Sequence, residues 1–347
     1  FPDQCPAEVT AILIRHLVQN RYDAVLILPG TDLTCTNIVR YLPRRIRALA
    51  RVPMFTRGAY APAKGLERSL DLLVGVCDRI AEDLRDTYAI PAGKLRVVYN
   101  GIDINPVAHE RKVRSASDLF QVVFTGRIVD SHKGVFLLPE IFKRLLDKGI
   151  NARLTIVGTG PDETRLLSLI SRYGLSSRVS YAGALPLEKV AQELESSDCY
   201  VLPSLYEGCP NSLLEAMAAG CPSVVSRLAG STDRIIDDGR NGMLAEVGNA
   251  DSFAEKIIWL AQRPGEAFQM GEEARIKMAA DFSIDKTAQA YADIFQEVSV
   301  SPDQREPQAD LANYIIPKAL RPTWRTKIPD PVKNFARKWL ERFGISS

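Results

Sequence analysis

"SDCYVLPSLYEGCPNSLLEAMAAGCPSVVS", residues 197–226, holds a short apolar run, a turn, a helical stretch and a second apolar run in direct succession. Pro203 stops the run "CYVL", Gly208 and Pro210 shape the turn, "NSLLEAMAAG" carries a helical period closed by Gly220, and "PSVVS" begins the next run. A strand, a helix and a strand in this order predict a βαβ unit, hence a parallel sheet. The same alternation extends outward. "AVLIL" 24–28, "LRVVY" 95–99, "QVVFTG" 121–126, "RLTIVG" 153–158 and "RVSYAG" 178–183 are further β-branched or aliphatic runs separated by helical segments. The predicted class is α/β. A polar stretch, "INPVAHERKVRSASD" 104–118, reads as a joint between two domains, and "VSVSPDQREPQAD" 298–310 as a second break.

With 347 residues and 46% apolar content the chain can bury two cores. Six cysteines form no CxxC pair, and three histidines give no metal-ligand cluster, so a reduced, cytoplasmic setting is expected. No stretch approaches the ~20 apolar residues of a membrane span, and the N-terminus lacks the order of a signal peptide. The net charge of +2 is unevenly spread. Residues 317–347 hold eight basic residues against Asp330 and Glu341, a balance of +6, which leaves 2 − 6 = −4 for the rest. A mildly acidic body argues against nucleic acid as a partner.

Ligands of open parallel sheets bind beyond the carboxyl ends of strands, where loops enter helices. Three motifs fall there. In "FTGRIVDSHKG" 124–134, Gly126 lets backbone approach a ligand, while Arg127 and Lys133 offer the fork and the point charge that a diphosphate needs. The alternative is two solvated loop charges. In "VGTGPDETRL" 157–166, Gly158 and Gly160 resemble the start of a dinucleotide fingerprint without its third glycine, and a tight turn explains them equally. In the opening stretch, Ser212 and Glu215 have the S-x-x-E spacing of a capping box. That leaves Glu207 unexplained. Two acids flanking a helix start would free its N–H groups for a phosphate and give the carboxylates to hydroxyls, which suits a sugar nucleotide.

In this light residues 119–283 resemble the C-terminal, donor-binding domain of a family 4 glycosyltransferase of the GT-B fold. "EGCPNSLLE" matches the E-x7-E motif, and "VVYNGID", "GRIVDSHKG", "VGTGP", "RVSYAG" and "DDGRNGMLAE" follow the family's order and spacing. The resemblance implies two Rossmann-like domains facing each other across a cleft: an acceptor-side domain at 1–112, a nucleotide-sugar domain at 119–283, a helix at 284–298 crossing back, and a linker and tail at 299–347. It implies that Arg127 and Lys133 hold the diphosphate, that Glu207 contacts the transferred sugar near its anomeric centre, and that Glu215 binds the ribose hydroxyls. The turn Gly208, Cys209, Pro210 would present backbone amides. Gly126, Gly158, Gly160, Asn211 and Ser212 complete the implied donor-binding set. The implied reaction is transfer from a UDP- or GDP-sugar to a glycan or lipid-linked acceptor with retention of configuration. No DxD pair occurs in the sequence, so no metal and no cofactor beyond the donor are expected.

The chain departs from the family pattern in two places. It enters directly on "AEVTAILIRHLVQN", so the first third to half of the acceptor domain is expected to be missing and the N-terminal domain incomplete. Arg57 stands where the family tends to carry a His, after a strand read at "VPMFT" 52–56. These departures favour the alternative of a non-catalytic partner subunit; the intact acids and cations favour the enzyme. In the tail, "PDPVKNFARKWLERFG" 329–344 places Val332, Phe335, Ala336, Trp339, Leu340 and Phe343 on one helical face and basic residues on the other. That pattern fits an anionic membrane surface on the inner face of the membrane, or a strap across the N-terminal domain. The arginine-rich "RYLPRRIRALAR" 40–51 would add a second basic surface.

Overall fold

Two parallel sheets organise the described residues, 5–30, 33–104 and 118–320, of the computed structural model. The chain divides into two units, residues 1–99 with 288–347, and residues 100–287.

In the first unit the strands β1 (Ala24–Ile27), β2 (Arg47–Val52), β3 (Leu72–Gly75) and β4 (Leu95–Val97) lie in chain order, all parallel. Leu49, Leu72, Val74 and Val98 form a core with Ile294 and Val298, from the later turns of the helix Ile284–Val300. The strand expected at 52–56 ends at Val52, its first residue, and is formed by the preceding arginine-rich segment. Part of that segment is therefore strand and core, while Arg44 and Arg45 stay exposed. Arg47 pairs with Asp71 at 3.0 Å, and Ala48 and Leu49 are fully buried. Residues 299–310, expected as a linker, pack against this unit instead. The side chain of Arg305 is only 5% exposed, pairs with Asp71 and Asp303, and donates to the carbonyls of Ile46 and Arg44 at 2.9 Å. Further on, Tyr314 stacks on Tyr41 with centroids 5.1 Å apart. Polar composition made this stretch look solvated; in the fold its polar groups are hydrogen-bond partners.

The second unit holds β5 (Phe120–Thr125), β6 (Ala152–Val157), β7 (Val179–Gly183), β8 (Cys199–Leu202), β9 (Ser223–Ser226) and β10 (Met243–Ala245), in the spatial order β10-β9-β8-β5-β6-β7. Every residue of β8 and β9 is buried, which is why they read as unbroken apolar runs rather than alternating ones. Counted within the sheet the order is 3-2-1-4-5-6 reversed, the doubly wound arrangement, so the unit is Rossmann-like. Its switch point lies between β5 and β8, which pair through Val122 with Cys199 and Val123 with Tyr200. Successive connections leave these two strands in opposite directions and open a crevice at their carboxyl ends.

The chain passes into the second unit after Tyr99, ahead of the polar joint read at 104–118. Ile102 N–H donates to Phe282 O at 2.8 Å and Ile284 N–H to Ile102 O at 2.9 Å, tying residues 100–102 to the end of that unit. Most of 104–118 and all of the tail segment 329–344 lie outside the described residues. No helix among the described residues is long and apolar enough to cross a membrane.

Candidate active site

Glycines decide how the loops leave the sheet. Beyond β5, Gly126 has φ +149°, and beyond β6, Gly158 has φ +130°. A Cβ on Gly158 would overlap the carbonyl oxygen of Gly126, and one on Gly160 would overlap that of Ile128. The three glycines thus let the loop after β6 lie against the loop after β5. The latter continues into the short helix Asp130–Lys133, ended by Gly134 at φ +59°. Asp162 Oδ2 accepts from Asp130 N–H at 2.8 Å and fixes its start. Gly134 in turn packs on the strand-ending Pro203, whose carbonyl oxygen a Cβ would overlap.

This packing brings the predicted cation and acid together. Lys133 Nζ donates to Glu207 Oε1 at 2.7 Å, and the buried Ser204 hydroxyl donates to the same oxygen at 2.7 Å. The two side chains are 17% and 12% exposed, so the pair is largely shielded from water. Oε1 is thereby satisfied, and Oε2 accepts no hydrogen bond among the described residues. Arg127 is exposed; its carbonyl accepts from Val129 N–H, and its guanidinium makes no hydrogen bond among the described residues.

The turn after Glu207 is anchored through its carbonyls. The buried Ser231 hydroxyl donates to Gly208 O at 2.7 Å, and Asn100 Nδ2 donates to Cys209 O at 3.1 Å and to Asn211 Oδ1 at 2.6 Å. In a trans peptide the N–H points opposite to its C=O, so the Cys209 N–H faces away from Ser231. Pro210 has no N–H and, contrary to expectation, offers no amide: it serves as the N-cap, its carbonyl accepting from Leu213 and Leu214 N–H. The first free amides of the helix Asn211–Ala218 are those of Asn211 and Ser212.

The capping box does not form. Ser212 is the second helical residue, not the cap, and its Oγ accepts from the buried Tyr200 hydroxyl at 2.8 Å. Glu215 therefore falls in the second turn, half-buried, its carboxylate without a hydrogen-bond partner among the described residues. Burial raises its pKa, and the charge of Lys133 opposes that rise. Lys133 thus acts electrostatically on both acids. An unspent acceptor oxygen on Glu207, an unpartnered carboxylate at 215, two cations and free helix amides can together receive an anion joined to a hydroxyl-rich group.

Ser204, Ser231, Asn100 and Gly134 support the site without having been assigned to it. Ser204 was within reach of reading, three residues before Glu207. Asn100 and Ser231 meet the turn from distant parts of the chain, and no local pattern announces them.

Residues 108–277 match the family model described as "Glycosyl transferases group 1". The chain is 27% identical over 300 residues to the "Putative colanic acid biosynthesis glycosyltransferase WcaL" of Salmonella typhimurium, covering 84% of this chain and 69% of the relative. It is 27% identical over 304 residues to the "N-acetyl-alpha-D-glucosaminyl L-malate synthase" of Bacillus anthracis, covering 84% and 72%. The WcaL of Escherichia coli aligns at 28% identity with 65% of its own length covered, so the chain spans about two thirds of such relatives. Among solved structures, Anabaena HepE in complex with UDP superposes with a TM-score of 0.70 at 17% identity, covering 84% of this chain and 82% of that one. The apo lipopolysaccharide outer core galactosyltransferase WaaB superposes with a TM-score of 0.65 at 21% identity, covering 84% and 80%.

Proposed function

Through residues 108–277 the chain belongs to the group 1 glycosyltransferases, with the GT-B fold, and from this membership we propose that it is a family 4 enzyme moving a sugar from a nucleoside diphosphate donor, UDP- or GDP-linked, to a glycan or lipid-linked acceptor with retention of anomeric configuration. The observation that carries the reading is the meeting of Lys133 with Glu207 at the switch point, with Glu215 within its electrostatic reach.

In this reading Arg127, Lys133 and the amides of Asn211 and Ser212 take the diphosphate, whose charge grows as the sugar departs. Preorganised cations and dipoles lower that barrier, and no metal is called upon. Glu215 accepts from the ribose hydroxyls, which relieves an unpartnered carboxylate. Glu207, its Oε1 already engaged, offers Oε2 to the sugar near the anomeric carbon and favours the positive charge developing there. The bond from C1 to the phosphate oxygen breaks, the bond from C1 to the acceptor oxygen forms on the same face, and the departing phosphate oxygen takes the acceptor proton. No side chain is assigned as nucleophile.

The test is incubation with radiolabelled UDP- and GDP-sugars, following transfer or donor hydrolysis and reading the product anomer by NMR. Glu207→Gln keeps an acceptor for Lys133 and Ser204, so it is expected to lower kcat about a hundredfold with little change in nucleotide affinity. Wild-type turnover by that variant would end the assignment of Glu207.

A further inference from the structure

His132 precedes Lys133 and Tyr206 precedes Glu207, and their rings stack with centroids 5.3 Å apart and planes 20° from parallel. Beside the stack, Leu205 N–H donates to the His132 carbonyl at 2.7 Å. One residue on, Gly134 lies against the Pro203 carbonyl. Loops 130–134 and 203–207 are therefore joined both by a charged contact, Lys133 to Glu207, and by uncharged ones.

These contacts respond differently to an arriving diphosphate. Its oxygens compete with Glu207 for the Lys133 ammonium, a compact charge on a flexible stem. The ion pair that aligns the loops in the free protein is weakened at the moment alignment is needed. A backbone hydrogen bond and a stack of neutral imidazole on phenol carry no net charge and are indifferent to that competition.

We infer that the His132–Tyr206 stack is a clamp that does not depend on the Lys133–Glu207 ion pair and keeps loops 130–134 and 203–207 in register while Lys133 turns from Glu207 to the diphosphate of the donor. His132 and Tyr206 are positioning residues, acting through Lys133 and Glu207. In the free protein stack and ion pair coexist, and loss of the stack is covered by the pair. In the nucleotide-bound protein the stack carries the alignment. The inference rests on the donor-site reading given above.

The experiment compares the full chain with Tyr206→Ala, His132→Ala, the double variant and Tyr206→Phe, by thermal melting without nucleotide and by calorimetric titration with UDP and with GDP. Each alanine variant is expected to melt within about 2 °C of wild type yet to bind nucleoside diphosphate about three- to tenfold more weakly. The double variant is expected to bind no more weakly than either single one, since both remove the same stack. Tyr206→Phe keeps a ring and is expected to restore wild-type affinity. Unchanged binding by Tyr206→Ala, additive losses, a large fall in melting temperature without nucleotide, or failure of the phenylalanine to rescue would each overturn the clamp alone. A wild-type chain that binds neither UDP nor GDP would overturn the donor-site reading and the clamp with it.

Discussion

Lys133 Nζ stands 2.7 Å from Glu207 Oε1, a cation and an acid delivered by the two loops that diverge at the switch point of the second sheet. Neither residue is a free surface charge, so each substitution acts on its partner as well as on a ligand.

Lys133→Ala is expected to weaken nucleoside diphosphate binding about 10- to 100-fold. It is also expected to cost ~1–3 kcal/mol of stability, because a mostly buried carboxylate loses its counter-charge. The double change Lys133→Ala with Glu207→Gln regains the stability and not the binding. Arg127, exposed and unpartnered, separates the two effects: Arg127→Ala weakens binding and leaves unfolding by urea unchanged. Unaltered affinity in both single variants would remove this loop from the site.

Glu215 links binding to pH. Its folded pKa lies above the ordinary value of about 4.5 because burial disfavours the charge. The folded chain then holds the proton more tightly than the unfolded chain, so the contribution of this group to stability is greatest below the unfolded pKa and is lost as pH rises through the folded one. Glu215→Gln, which cannot ionise, is expected to melt above wild type at neutral pH, the gap closing as pH falls towards about 4. Its nucleotide affinity is expected to drop about tenfold. A variant that binds normally and melts no higher at pH 7 would contradict both halves.

Gly134 and Gly174 both adopt positive φ, +59° and +69°, but only Gly134 has a carbonyl oxygen where a Cβ would stand; nothing lies within 4 Å of the corresponding point at Gly174. Gly174→Ala is expected to cost about 1 kcal/mol from backbone strain, and Gly134→Ala about 3 kcal/mol or more, as the two loops are forced apart. Urea denaturation distinguishes them, and equal costs would show that the loop contact at Pro203 is soft.

Arg305→Ala is expected to destabilise the first unit by ~1–3 kcal/mol, since the carbonyls of Ile46 and Arg44 lose their donor while Asp71 keeps Arg47. Asp303 reports on the same cluster. Burial pushes its carboxyl up, but the hydrogen bonds and charge of Arg305, with the charge of Arg44, outweigh this and hold it at about 2. The stability it contributes is present above the ordinary carboxylate range and lost as pH falls towards about 2. In Arg305→Ala the folded pKa of Asp303 rises back towards the ordinary range, so this contribution and its loss in acid are expected to shrink; an acid-unfolding profile unchanged in shape would show that the cluster is not what holds residues 303–305.

The alternation of strands and helices, the parallel sheets and the loops that carry the site were legible in the sequence, because burial of a whole strand leaves a continuous apolar run and its ends must be broken by Gly or Pro. The places of the basic and acidic motifs were legible in the same way, since "SHKG" and "YEGCP" each follow a strand, but the pairing of Lys133 with Glu207 was not. Local spacing misled where it stood in for position. Ser212 and Glu215 have capping-box spacing, yet the helix starts at Asn211, so Ser212 turns to Tyr200 and Glu215 is left unpartnered.

What the sequence by itself determined is the set of elements and the residue types at their ends, since both follow from short-range sterics and the period of burial. Only the tertiary structure decided which polar groups meet: Ser204 on Glu207, Ser231 and Asn100 on the turn, Arg305 between Asp71 and Asp303. The physical reason is that a hydrogen bond or ion pair is satisfied by distance in space. Residues 234 positions apart, as Asp71 and Arg305 are, can become neighbours only after the chain has been packed.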